Sequence, residues 1–196
     1  AARGGPGRIR RTGQRIGTLH WLLAWPAWSR LRGDVARALG VDRREAGRIL
    51  LGGARTNDGA VFEALALGRP GGDPKALVDT VDIRNTEVLD RLAEDGRGAL
   101  LLGMHMGNGI LMAGRLAALG YPVHIVFREP RRLTPGTLHA CIAETGAAPI
   151  PLDRDNPTRS FRQMLRALAD GGLIYVLMDQ ASKQEGRPRR FLGKTQ

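Results

Sequence analysis

Three short apolar runs, separated by stretches long enough for helices, constrain the fold of this chain most strongly. They occupy residues 98–104, 122–128 and 173–179, and the first is a continuous apolar segment of the kind expected for a strand buried on both faces. Alternating strands and helices predict an α/β fold with a largely parallel central sheet flanked by helices. The other predicted elements are strands over residues 77–83 and 148–150, helices over 87–95, 108–119 and 135–145, and an amphipathic helix with apolar positions Phe161, Met164, Leu165 and Leu168.

A loop rich in proline and glycine divides the chain into two parts. Residues 34–69 have helical patterns, and the loop at residues 69–74 follows them. We therefore predict a basic, helical N-terminal segment over residues 1–74 and an α/β core over residues 75–196. The single cysteine, Cys141, excludes an intrachain disulfide and a zinc site built from cysteines.

The charge of the chain indicates an anionic partner. Thirty basic and nineteen acidic residues give a formal net charge of +11, which suits nucleic acid, a membrane surface, or an acidic substrate or carrier. All three tryptophans lie in residues 16–31, a stretch interrupted by Pro26 and shorter than the roughly 20 apolar residues that span a bilayer. Arginine beside tryptophan and leucine favours a helix lying on an anionic membrane, with packing against the rest of the domain as a compatible alternative. We expect no nucleic-acid partner.

A histidine and an asparagine interrupt the most apolar stretch of the chain, residues 101–114. In parallel sheets ligands bind beyond the carboxyl ends of the strands, where both His105 and Asp179 are expected. Gly107 would let the backbone approach a ligand closely, and Asn108 is a good N-cap for the helix that follows. These features predict that His105 is a general base rather than a structural histidine, with the first N–H groups of the helix available to an oxyanion.

Other site motifs fit less well. Gly107 and Gly109 begin like a dinucleotide-binding fingerprint, but the third glycine, Gly114, comes too late. Glu129 closes the next strand, where a ribose-binding acid would lie, so a nucleotide-binding module remains an alternative. The chain has no P-loop and no HExxH spacing, and its serines lack a nucleophile-elbow context.

Three separated motifs carry a resemblance to a known family. They are a strand followed by His105-x-Gly107-Asn108, a later strand ending in Asp179-Gln180, and a basic stretch leading to Phe191-Leu192-Gly193. In this order they resemble the core of the bacterial lipid A biosynthesis acyltransferases and the related phosphatidylinositol mannoside acyltransferases, members of the lysophospholipid acyltransferase superfamily. The resemblance covers residues 75–196, and because family chains continue past the third motif, we expect a core truncated at its C-terminus.

The resemblance implies transfer of a fatty acyl group from an acyl carrier protein or coenzyme A thioester to a hydroxyl of a glycolipid or lysolipid. It implies His105 as the general base, no metal or other cofactor, and a location at the cytoplasmic face of the cell membrane. The substrate-binding residues it suggests are Gly107, Asn108, Arg128, Glu129, Gln180 and Arg190.

The chain departs from the family pattern at one position. The family has an acid five residues after the histidine, where this chain has Ile110. We expect Asp179 to replace it, since Asp179 ends a strand of the same sheet. If Asp179 does not reach His105, the alternative is a weakened or inactive, lipid-binding relative.

Overall fold

The computed structural model of the protein describes residues 5–130, 133–153, 155–179, 190–191 and 194–195, the last two pairs by their backbone alone. The helices of this part of the chain are α1 (Pro6–Leu23), α2 (Trp25–Leu39), α3 (Arg43–Leu67), α4 (Pro74–Val78), α5 (Glu87–Glu94), α6 (Gly109–Ala118), α7 (Thr137–Ala143) and α8 (Pro157–Ala169). Its strands are β1 (Ala99–Gly103), β2 (Val123–Phe127), β3 (Ala148–Pro151), β4 (Leu173–Leu177), β5 (Arg190–Phe191) and β6 (Lys194–Thr195).

The central sheet confirms the predicted α/β class. Its four strands are all parallel, in the order β1-β4-β2-β3, and β5 and β6 form a separate antiparallel pair. Each strand is entered after a helix or leads into one, as parallel connections require. All four carboxyl ends therefore lie along one edge of the sheet.

Helices cover the sheet on both faces. On one face Leu116 of α6 and Ile142 of α7 are buried against Ile125 of the sheet. On the other face Ala167 of α8 is buried against Ile174. The two clusters use alternate residues of β2 and β4, because successive side chains of a strand point to opposite faces.

α1 packs against α3 so closely that their backbones are in contact. A Cβ atom added to Gly13 would lie 2.6 Å from the carbonyl oxygen of Asp58, and one added to Gly17 would lie 2.6 Å from that of Ala54. Only glycine fits at either position. This close approach holds α1 flat against α3.

The predicted boundary at residues 69–74 is a loop, but apolar residues on its two sides share a core. Leu67 of α3 and Leu77 of α4 are buried together with Leu111 of α6. Ile9 of α1 packs against the same cluster. The N-terminal helices and the sheet domain thus bury apolar surface jointly.

The predicted strand over residues 77–83 is wrong. Pro74 begins a short helix, and the Asp73 side chain accepts a hydrogen bond from the backbone N–H of Ala76 at 2.9 Å. An acidic N-cap followed by proline is a helix start signal, and here it prevails over the alternation of apolar and polar residues.

The predicted burial of β1 on both faces is also wrong, and the predicted apolar face of α8 is confirmed only in part. Within the described residues β1 pairs with β4 alone, and Leu100 and Leu102, which point to the same face of the sheet, are 58% and 64% exposed. In α8, a helix as predicted, Met164 and Leu168 pack against the core, whereas Phe161 and Leu165 are exposed.

Candidate active site

Strand register brings His105 and Asp179 together. Each residue of β1 pairs with the residue of β4 that lies 74 positions later, from Ala99 with Leu173 to Gly103 with Leu177. His105 and Asp179 are separated by the same 74 positions, so each lies two residues beyond the end of its strand, level with the other. Adjacent parallel strands therefore place both side chains at the carboxyl edge of the sheet.

The two residues make a double contact. His105 Nδ1 lies 2.7 Å from Asp179 Oδ1, and the backbone N–H of His105 donates to Asp179 Oδ2 at 2.9 Å. The expected convergence of His105 and Asp179 is confirmed as geometry. Their side chains are 44% and 33% exposed, which leaves the pair open to a ligand.

Electrostatics keep the carboxylate charged. The hydrogen bond from the His105 side chain lowers the pKa of Asp179, the backbone N–H of His105 lowers it further, and partial desolvation opposes both. Because an ionised carboxylate only accepts hydrogen bonds, His105 Nδ1 must carry a hydrogen. In the neutral imidazole the lone pair is then on Nε2, the atom that a general base uses.

A buried tyrosine, Tyr175, explains the two glycines that border the site loop, at the end of β1 and the start of α6. A Cβ atom on Gly103 would lie 2.4 Å from the Tyr175 ring, and one on Gly109 would lie 2.8 Å from its hydroxyl oxygen. Burial raises the pKa of Tyr175, and the negative charge of Asp179 raises it further, so the hydroxyl stays protonated. These two glycines serve to pack the ring.

Gly107 has a different role. Its φ of +64° places it in the left-handed region, and nothing lies within 4 Å of where a Cβ would be. The glycine allows the turn between β1 and α6 and leaves the space in front of the loop open. This position is consistent with the expected contact to substrate.

Asn108 is the N-cap of α6, as predicted, and both the oxygen and the nitrogen of its amide are hydrogen-bonded within the protein. Its Oδ1 accepts from the backbone N–H of Leu111 at 3.3 Å, and its Nδ2 donates to the Ala60 carbonyl at 3.3 Å and to Glu63 Oε2 at 3.2 Å. The predicted contact between Asn108 and substrate stays a prediction, but the observed contacts are structural.

Glu63 is a residue of this site that the sequence pattern did not reveal. Its side chain is buried on α3, and its other oxygen, Oε1, lies 3.3 Å from Arg10 Nε of α1. One carboxylate thus connects α1, α3 and the N-cap of α6. A signal exists in hindsight, because Glu63 lies four residues after Gly59 and four before Leu67, on the buried face of α3.

Of the remaining predicted substrate-binding residues, the structure describes the side chains of two. Arg128 is exposed just after β2, and Glu129 Oε1 accepts from the backbone N–H of His139 in α7 at 3.1 Å. Gln180 lies outside the described residues, and Arg190 belongs to β5, of which only the backbone is described. The structure therefore places Arg128 and Glu129 at the same sheet edge as the His105–Asp179 pair, one strand beyond Asp179.

The apolar residues around His105 divide into two groups. Met104 and Met106 are exposed, at 57% and 77%. Ile110 packs against the core, and Leu111 is buried in it. The position at which the resembling family has its acid therefore faces the protein interior here, and Asp179 supplies the carboxylate.

Comparisons with known proteins leave the geometry as the main guide to function. No protein-family model matches the chain, and no significant relative is found among curated proteins. Across residues 5–130, 133–153 and 155–179, no three His, Cys, Asp or Glu side chains gather as metal ligands would. None of the described helices is both long and apolar enough to cross a bilayer.

Proposed function

We propose that the protein is an acyltransferase, which moves a fatty acyl group from a thioester on acyl carrier protein or coenzyme A to a hydroxyl of a glycolipid or lysolipid. The observation that carries this proposal is the His105–Asp179 contact at the carboxyl edge of the sheet, with 2.7 Å between Nδ1 and Oδ1. A histidine backed by a carboxylate is the arrangement that activates a hydroxyl. The resemblance of the motifs around the two residues supports the same reaction.

In the proposed reaction His105 Nε2 removes the proton of the acceptor hydroxyl as its oxygen attacks the thioester carbonyl. Asp179 stabilises the imidazolium that forms and keeps the ring in position. The tetrahedral intermediate then breaks its C–S bond, and the thiolate takes the proton from the imidazolium. An ester and a free thiol are the products.

The start of α6 lies next to the reacting groups. Asn108 occupies the N–H of Leu111, while the preceding N–H groups of Gly109 and Ile110 belong to the first turn and need no partner within the helix. Together with the partial positive charge of the helix N-terminus, they can stabilise the oxyanion of the intermediate.

An apolar surface adjoins the pair and suits an acyl chain. Met104 and Met106 flank His105, and Leu100 and Leu102 are exposed along the edge strand that leads to it. Removing such surface from water contributes about 25 cal/mol for each Å² buried, which favours binding of a hydrocarbon chain. We therefore assign the acyl group to this side of the site.

Membrane contact is part of the proposal. Leu19, Leu22, Leu23 and Trp25 are exposed around the junction of α1 and α2, within an arginine-rich part of the chain. Apolar side chains surrounded by basic ones suit the interface of an anionic membrane. Trp21 and Trp28 are half-buried, so part of this region also packs internally. This agrees with the alternative expectation that the helix packs against the rest of the domain.

The proposal is tested by incubating the full-length protein with acyl-CoA and acyl carrier protein donors, each combined with lysophospholipid and glycolipid acceptors. We expect an esterified acceptor and one free thiol per ester. The variant His105→Ala should make neither product, whereas His139→Ala, which changes an exposed histidine of α7, should retain both. Transfer by His105→Ala at the rate of the unchanged protein would contradict the proposal.

A further inference from the structure

A cavity lined by arginines lies within the N-terminal helices, built from residues that the reaction above does not use. It has a volume of about 640 Å³ and is open to solvent. It is a wide, solvent-exposed depression rather than an enclosed pocket. The lining residues belong to α2 and the first turn of α3, and they are Ser29, Arg30, Gly33, Ala36, Arg37 and Arg43.

Two of the three arginines are held in place by backbone carbonyls. Arg43 Nη2 donates to the carbonyl oxygen of Ser29 at 3.3 Å, and Arg37 Nε donates to that of Gly33 at 3.3 Å. A guanidinium has five N–H donors, so these bonds leave donors for a ligand. Gly33 lies beside one of these side chains, since a Cβ there would be 3.4 Å from Arg43 Nη1.

The cavity carries an excess of positive charge. Arg37 pairs with Asp34, and Asp42, the acid next to Arg43 in the chain, caps the start of α3. Within the described part of the chain, neither Arg30 nor Arg43 forms an ion pair with an acid. The guanidinium groups of Arg30, Arg37 and Arg43 repel one another, and an anion with several acceptor oxygens would relieve that repulsion.

The neighbouring surface is apolar. Trp25 and Leu31 of α2 are exposed, and the Arg32 guanidinium lies 5.2 Å from the centre of the Trp25 ring. Arg32 also donates to the Arg43 carbonyl through both Nε and Nη2, at 3.2 and 3.0 Å. Arg32 thus joins the apolar surface to the segment that carries Arg43.

We propose that this cavity binds the phosphate group of a phosphorylated ligand. The planar fork of arginine matches pairs of phosphate oxygens, and three arginines around one cavity offer several such forks. The phosphate belongs either to a lipid headgroup or to a soluble phosphate ester. The site does not depend on the proposed acyl transfer, since none of its residues takes part in that reaction.

Titration calorimetry with inorganic phosphate and glycerol phosphate tests the soluble form of the ligand. The site variant is Arg30→Gln/Arg37→Gln/Arg43→Gln, and the control Arg159→Gln/Arg162→Gln/Arg166→Gln removes the same charge from the exposed surface of α8. We expect the control to bind as the unchanged protein does and the site variant to bind at least about tenfold more weakly, since hydrogen bonds to charged groups are being lost.

Vesicle binding tests the lipid form. Phosphatidylcholine vesicles containing dicetyl phosphate are compared with vesicles of equal surface charge containing cholesteryl hemisuccinate, whose charge is a carboxylate. We expect a preference for the phosphate vesicles that the site variant loses and the control keeps. Saturable binding in either experiment supports the site and identifies which source of phosphate it takes.

Two results would overturn the proposal. One is a failure to bind phosphate in the calorimetry together with no preference for the phosphate vesicles. The other is an equal loss of binding in the site variant and the α8 control. Should the triple variant fail to fold, as judged by circular dichroism, Arg30→Gln alone decides, because Arg30 makes no ion pair among the described residues. Unaltered phosphate binding by this single variant would then count against the site. Neither readout uses acyl transfer, so this inference and the proposed function fail separately.

Discussion

Two contacts position the loop between β1 and α6, and they differ in kind. The contact between His105 and Asp179 is half-exposed and follows from the register of two neighbouring strands. The contact between Asn108 and Glu63 is part-buried, with Glu63 itself buried, and it depends on α3 docking against the sheet domain. The sheet thus supplies the reactive pair, whereas the helices hold the loop that carries it, and the two contributions should respond to different substitutions.

The largest effect is expected where the helices meet. Gly17→Val should lower the free energy of unfolding by about 2–3 kcal/mol, because the new side chain would overlap the backbone of Ala54 and Arg55. Urea unfolding followed by circular dichroism measures the change. Gly52→Ala is the matched control, since nothing lies within 4 Å of a Cβ there, and it should raise stability by roughly 0.5–1 kcal/mol. Equal stabilities for Gly17→Val and the unchanged protein would show that α1 is not packed on α3 in this way.

Substitutions of Glu63 alter the Asn108–Glu63 contact without touching the His105–Asp179 pair. Glu63→Ala removes one of the two acceptors of the part-buried Asn108 amide and also the partner of Arg10, and it should cost about 1–3 kcal/mol. Glu63→Gln should cost less, because its amide oxygen can still accept from Asn108. We expect kcat to fall in both variants with little change in KM, since the loop loosens while the substrate surface remains. An unchanged kcat in Glu63→Ala would mean that the Asn108–Glu63 contact stabilises the fold but has no effect on the reaction.

A double-mutant cycle with Asn108→Ala sharpens this test. If the two side chains act on each other, the combined loss of stability should differ from the sum of the single losses by about 0.5–3 kcal/mol. Additive losses would indicate that Asn108 and Glu63 act independently. Glu94→Gln, an exposed substitution at the end of α5, is the control and should change stability by less than about 0.5 kcal/mol.

The smallest effect concerns pH. The pKa of Asp179 is lowered below its ordinary value of 3.8 in the folded protein, so its contact with His105 contributes stability above that value. This contribution is lost as the pH falls through the lower, folded pKa. The stability difference between the unchanged protein and Asp179→Asn should therefore be constant at mild pH and shrink below about 3.8. A difference that grows on acidification would contradict the assigned direction.

The sheet and the reactive pair could be predicted because both follow from local patterns. Apolar runs fix where the strands lie, and parallel strands collect the residues that follow them at one edge. His105 and Asp179 are the residues to which this logic applies, and each lies two positions beyond its strand. The N-cap role of Asn108 is equally local, since it depends on residues within one helical turn.

What could not be predicted depends on packing between distant segments. Leu100 and Leu102 are exposed on one face of β1, and no pattern within residues 98–104 reports which faces of this strand other segments cover. Glu63 interacts with Asn108 only because α3 crosses the start of α6, 45 residues later in the chain. The strand predicted over residues 77–83 failed for a different reason, because a capped helix start also fits that stretch.

The rate of acyl transfer by Asp179→Asn tests the central claim most directly. If Asp179 positions the His105 ring and stabilises its imidazolium form, this variant should fold normally yet lose about 10²–10⁴-fold in kcat. The control Asp95→Asn, an exposed substitution at the end of α5, should keep the kcat of the unchanged protein. Both rates are measured under the same conditions with the donor and acceptor that the unchanged protein uses. A folded Asp179→Asn variant that transfers acyl groups at the unchanged rate would contradict the claim that the His105–Asp179 pair performs the chemistry.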